Sequence, residues 1–177
     1  MVHEPAAIAG GRPAYWFPAG RVDAGETFVE AGERETLEEA GVAARVTGVL
    51  RFMLGGGIVP RVLLLAEPVD DGAVPKSMPD FESCGALWAD PVALAELGPR
   101  CFRSPDTPQI VQAVAAGTLK AHSTSNSAFT HLEALVAELT KDDNAAVLES
   151  IPQQAAVMQK EWTQLRAHYP PGAFGAA

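Results

Sequence analysis

The hydrophobic and polar positions divide the chain into a front part of strand-like runs around one amphipathic helix and a back part of helical spacing. Residues 1–14 are rich in Gly, Ala and Pro, show no periodicity, and are expected to form a flexible lead-in with no strand. Tyr15, Trp16 and Phe17 make a short aromatic run stopped by Pro18, with room for one small strand. Thr27-Phe28-Val29-Glu30 has the form of a capping box and Gly41 is a left-handed terminator, so the pattern predicts a helix over residues 28–40. Val46 to Leu54 and Val59 to Ala66, rich in Val, Leu and Phe on either side of Gly55-Gly56-Gly57, read as a hairpin. A polar loop from Glu67 to Phe81 leads to a short strand around Ala86-Leu87-Trp88. Asp90 and Pro91 open a small helix ending at Leu97, and Pro105 to Pro108 open another over residues 107–116 that stops at Gly117. His122 to Ser127 is the best internal boundary. Beyond it Phe129, Leu132, Leu135, Val136 and Leu139, then Ala155, Met158, Trp162, Leu165 and Tyr169, recur at helical spacing. The expected organisation is a lead-in (1–14), an α/β domain (15–117) and a helical extension (118–177).

Composition narrows the class. Of 177 residues, 47% are hydrophobic and 20% charged, ordinary globular values. No apolar run is long enough to cross a bilayer and no secretory leader opens the chain, so a soluble cytoplasmic protein without a membrane partner is expected. Cys84 and Cys101 are too few for a disulfide framework or a four-cysteine zinc site, which suits a reducing compartment. The net charge of −9 argues against a protein that grips a nucleic-acid strand, because that affinity rests on Lys and Arg neutralising phosphates. A small phosphorylated ligand stays compatible with that charge when a divalent cation mediates.

The candidate chemistry lies in residues 20–42. On the predicted helix Glu35, Glu38 and Glu39 stand at i, i+3 and i+4, so their carboxylates share one face, while Val29, Thr36 and Ala40 lie on another. Like charges at these spacings destabilise an isolated helix by roughly a few tenths of a kcal/mol per pair. A hard divalent cation turns that repulsion into attraction, and oxygen ligands are what Mg²⁺ prefers. Arg34, four residues from both Glu30 and Glu38, can brace the acidic face, and Glu26 and Arg34 together suit a supporting role around the ligands. A glutamate-rich helix is ordinarily only a solvated face. Here it follows a Pro/Gly loop in which Gly20 and Glu26 also stand in register.

Gly20, Glu26, Arg34-Glu35, Glu38-Glu39 and Gly41 have the spacing of the Nudix box, with Thr36 at a position that is usually aliphatic. The chain thus resembles the Nudix hydrolases. The resemblance implies an α/β/α sandwich with a mixed sheet and a hydrolase cleaving a phosphoanhydride bond in a nucleoside diphosphate derivative. It implies Mg²⁺ or Mn²⁺ held by the Gly20 carbonyl, Glu35, Glu38 and Glu39. A carboxylate must take the proton of the attacking water, either one of the helix glutamates or Glu82, in the loop six residues before Trp88 where family members often place such an acid. Arg21 and Arg51 are candidate contacts to substrate, against the plain alternative of surface arginines. His3, His122, His131 and His168 are too scattered to suggest a metal cluster.

The stretch from Trp16 to Glu26, with Ala19-Gly20-Arg21 at its centre, is similar to that of animal members of the family that degrade oxidised guanine deoxynucleoside diphosphates. Hydrolysis of ADP-ribose or another ADP-sugar is the enzymatic alternative. A non-catalytic Nudix-fold module, binding nucleotide or building an assembly, is the alternative of another class. Family domains have a first strand well upstream of the box, and that strand is expected to be missing here, so that either the chain is a shortened version or another segment or a subunit completes the sheet. The helices of 118–177 are candidates for packing on the domain or for a homo-oligomeric or partner interface.

Overall fold

In a computed structural model, the structure describes residues 1–5, 11, 13–54, 60–81, 83–125, 129–131 and 133. Its elements are β1 (Val2–Glu4), β2 (Ala14–Trp16), α1 (Phe28–Ala40), β3 (Ala44–Leu54), β4 (Pro60–Pro68), α2 (Pro91–Glu96), a short 3-10 turn (Pro99–Cys101) and α3 (Thr107–Ala115). They fall into two compact units, one of Met1–Arg21, Val29–Thr47 and Ala66–Lys120, the other of Val22–Phe28, Gly48–Leu65 and Ala121–Ala177.

The expectation of a strandless lead-in does not hold. β1 pairs antiparallel with β2 in the register Val2 to Trp16, His3 to Tyr15 and Glu4 to Ala14. A strand forms because Val2 and Glu4 point inward while His3 does not, the period-two alternation of a half-buried strand. What hides it in the sequence is that one of the inward residues is charged. Glu4 is 1% exposed, and its Oε1 accepts from Arg103 Nη1 at 2.6 Å. Arg103 also stands 5.9 Å from the Trp16 ring centre, and its amide donates to the Tyr15 carbonyl.

The other edge of β1 is taken by residues 84–87: Cys84 N donates to His3 O, His3 N to Gly85 O and Leu87 N to Met1 O. The strand expected at Ala86-Leu87-Trp88 is reduced to one antiparallel bridge, Ala86 with Val2. Gly85 explains the reduction, since its φ of +121° is incompatible with a regular strand. A parallel bridge joins Tyr15 to Phe102, so pairings of both senses surround β1 and β2.

α1 covers the expected residues and ends at Gly41, whose φ is +70° and whose amide donates to Leu37 O. β3 and β4 pair, and the Val69 amide on the Ala43 carbonyl puts the end of β4 beside the start of β3, as in a hairpin. α2 starts where Asp90 Oδ1 accepts from the amides of Val92 and Ala93, with Pro91 in its first turn. α3 matches the expected helix to within a residue. In the first unit the buried apolar set includes Val2, Ala31, Ala40, Val42, Phe102 and Ile110. In the second, Phe129 stacks obliquely on Phe28 and Phe52, with ring centres 6.0 and 5.9 Å apart. The Gly55-Gly56-Gly57 turn and the expected helices beyond residue 133, with their candidate interface, lie outside the described residues. No helix among the described residues is long and apolar enough to cross a membrane.

Replacing Arg103 leaves the Glu4 carboxylate buried without its counter-charge, a strongly destabilising change that is moderated here because the arginine side chain is 34% exposed. Arg103→Met is expected to cost about 2 kcal/mol, read as a lower urea midpoint at unchanged slope.

Candidate metal and phosphate site

The box residues in the first unit come from two pieces of chain: the loop after β2 and the second half of α1. The loop passes so close to the helix that a Cβ on Gly20 would lie 1.8 Å from Glu35 Oε1. Only a glycine leaves that space to the carboxylate. The next contact is made one residue earlier, where the Ala19 amide donates to Glu39 Oε2 at 2.9 Å. Arg34 closes the arrangement from the helix side. Its Nη1 donates to Glu35 Oε1 at 2.8 Å and to Glu38 Oε2 at 2.9 Å, and its Nη2 donates to the Arg21 carbonyl at 2.9 Å. One guanidinium therefore holds two glutamates and the loop.

Glu35 and Glu39 both meet the loop after β2, at the neighbouring residues Gly20 and Ala19. Glu35 and Glu38 meet at Arg34, but Glu39 turns inward and is only 8% exposed, its oxygen spent on the Ala19 amide. Like charges at i, i+3 and i+4 repel, and Arg34 and the Ala19 amide are the positive groups by which the chain offsets that repulsion. Consistently, no group of three His, Cys, Asp or Glu side chains among the described residues is gathered as a metal cage. The donor chemistry nevertheless fits a hard divalent cation: every candidate ligand is an oxygen, and Glu35 lies in the space that Gly20 leaves open.

The remaining candidates are distributed. Arg21 is exposed, and its carbonyl is what Arg34 engages. Glu26 and Arg51 belong to the second unit. There Glu26 Oε2 accepts from the Asp23 amide and the Glu26 amide donates to Asp23 O, so Glu26 fixes a tight turn. Arg51 is half-buried on β3. Glu82 lies outside the described residues.

Sequence reasoning missed Ala19, whose contribution is a backbone amide and leaves no side-chain signal. It also missed Lys76, Asp80 and Ser83, which bond to one another and to the end of α1. Their spacing, with Asp80 three residues ahead of the Ser83 amide it accepts from, is a turn signal.

The NUDIX domain family model matches residues 2–100, beginning within β1. Over 101 residues the chain is 34% identical to 8-oxo-dGDP phosphatase NUDT18 of Mus musculus, covering 57% of this chain and 30% of that protein. Over 77 residues it is 36% identical to 8-oxo-dGDP phosphatase NUDT18 of Homo sapiens, covering 44% of this chain and 24% of that protein. The matches thus span less than a third of the length of these curated relatives.

Gly20→Ala tests the close approach. The clashing atom is the far end of a flexible side chain, so the variant is expected to fold with little change in melting temperature while Glu35 is pushed aside. Mn²⁺ affinity, measured by titration, should fall at least about tenfold, the scale of losing a metal ligand's support.

Proposed function

The chain belongs to the NUDIX family, and from that membership we propose that it hydrolyses a phosphoanhydride bond in a nucleoside diphosphate derivative. The single observation that carries this reading is the packing of the Glu35 carboxylate into the space left by Gly20, with Arg34 joining Glu35, Glu38 and the Arg21 carbonyl. It joins two of the box glutamates to the loop at Gly20 and Arg21 within the first unit, which supports a site there.

Mg²⁺ or Mn²⁺ would be held by Glu35, Glu38, Glu39 and the Gly20 carbonyl. Bound there, a divalent cation supplies charge neutralisation for the linked phosphates and a more acidic water. The protein's own groups do the rest. Glu38, the most exposed of the three at 43%, or Glu82 accepts the proton of the attacking water. Glu35 and Glu38 give up Arg34 as their partner, and the freed guanidinium remains beside the Arg21 carbonyl to steady the loop. Arg21 meets the substrate phosphates; Arg51 is a further candidate substrate contact in the second unit, where Glu26 keeps its turn. The names of the NUDT18 relatives support an oxidised guanine nucleotide as the substrate. The reading carries with it the family's α/β/α sandwich with a mixed sheet and a cytoplasmic setting.

The test is release of phosphate or nucleoside monophosphate from a nucleotide panel with Mg²⁺, comparing the native chain with Glu38→Gln. Turnover of an oxidised guanine diphosphate is expected from the native chain, abolished by a chelator. Glu38→Gln should lower the rate about a hundredfold or more, the scale of a lost acid–base group. Equal release from both removes the assignment. Nucleotide binding without any release identifies a non-catalytic module.

A further inference from the structure

The last turn of α1 leaves backbone carbonyls that no helical amide can reach, and the helix has no basic residue in that turn to meet them. All are nevertheless met. Gly41 N donates to Leu37 O at 2.9 Å, Lys76 Nζ to Glu38 O at 2.5 Å, Ser83 Oγ to Glu39 O at 2.8 Å and Lys76 N to Ala40 O at 2.8 Å. All but the first of these donors come from residues 76–83, far along the chain from the helix they finish. That segment is knotted to itself. Asp80 Oδ2 accepts from Lys76 Nζ at 2.6 Å, Asp80 Oδ1 from the Ser83 amide at 2.9 Å, and the Asp80 amide donates back to Ser83 O at 2.9 Å. Ser83 is completely buried.

We infer that Lys76, Asp80 and Ser83 form a clasp that positions the acidic end of α1, and that Lys76 and Ser83 are positioning residues for the cation-binding carboxylates of Glu38 and Glu39. The inference rests on the function proposed above. The clasp grips Glu38 and Glu39 by their main-chain carbonyls, so loosening it moves both backbones together rather than one rotamer. It also brings a positive charge to the negative end of the helix dipole, where the helix's own sequence supplies only acids. Asp80 takes the other side of that ammonium and sets its direction. Gly41 completes the fit, since a Cβ there would come within 3.0 Å of the Lys76 Cβ.

A positioning role and a purely electrostatic one predict opposite signs. Removing a positive charge beside an acidic helix, with nothing moved, strengthens attraction for a cation. Removing a support weakens it. The full chain is therefore titrated with Mn²⁺, free ion being followed by its paramagnetic resonance, in the native form and as Lys76→Met, Lys76→Arg and Ser83→Ala, each with a melting curve. Lys76→Met is expected to weaken Mn²⁺ binding about tenfold, the scale of supporting residues around a metal. Lys76→Arg should recover most of that loss, and Ser83→Ala, which changes no charge, should weaken binding in the same direction. Lys76→Met and Ser83→Ala that fold and bind Mn²⁺ as tightly as the native chain, or more tightly, overturn the clasp while leaving the metal site standing. Should Lys76→Met fail to fold, Ser83→Ala decides alone by the same criterion. A native chain that binds no Mn²⁺ defeats the metal reading itself, and the clasp with it.

Discussion

Negative charge crowded at the negative end of one helix is the constraint around which the first unit is organised. α1 runs from Phe28 to Ala40 and carries Glu35, Glu38 and Glu39 toward its end with no basic residue in the last turn. The helix dipole and the mutual repulsion of the carboxylates both oppose that placement. The chain offsets it from three directions. Arg34 joins Glu35 to Glu38, the Ala19 amide takes Glu39, and Lys76 brings an ammonium to the Glu38 carbonyl. Arg34 lies on the helix itself, but the other two partners come from the loop after β2 and the segment 76–83, so the charge is fully offset only inside the folded unit.

The three glutamates are not held alike. Glu35 and Glu38 share a flexible side-chain cation that is itself 28% exposed. Glu39 is bound to a backbone amide and buried. A flexible guanidinium can exchange places with another cation at small cost, because side chains at the surface re-orient freely. A fixed amide cannot. In the function proposed here, Glu35 and Glu38 are therefore the adaptable ligands, and Glu39 is the anchored one whose position follows the backbone at Ala19. This also explains why the residue next to Ala19 has no side chain: Gly20 lets the loop approach closely enough for its neighbour's amide to reach the helix.

Legibility in the sequence followed the range of the interaction. α1, the hairpin strands, α2 and α3 are specified locally by caps, glycine stops and apolar periodicity, and those elements stand within a few residues of expectation. The box spacing brought Gly20, Arg34, Glu35 and Glu38 together because its residues sit on a helix and the loop leading toward it. β1 was not legible, since its inward Glu4 reads as a polar residue until Arg103, 99 positions later, is known to cover it. The strand at Ala86-Leu87-Trp88 was over-read because Gly85 was not recognised as a break. Glu39's inward turn depends on a backbone amide, and the Lys76–Asp80–Ser83 network on a loop docking to a helix end; neither has a periodic signature.

The pairing of Glu4 with Arg103 bears on the site as well as on stability. Arg103 touches β1 through Glu4, and it touches β2 through the Trp16 ring and the Tyr15 carbonyl. β2 then runs, by way of Phe17 and Pro18, into Ala19 and Gly20. Pro18 shortens the freedom of that link by fixing its own φ and restricting the residue before it. The lateral position of the loop that meets Glu35 and Glu39 is thus set from the strand side by one arginine, just as the height of the helix end is set from the other side by the 76–83 segment. A buried charge pair often contributes less to stability than apolar residues of the same size would. Its value here lies in direction: one arginine bonds Glu4 of β1 through its guanidinium and Tyr15 of β2 through its backbone amide, contacts more directional than an apolar patch would supply.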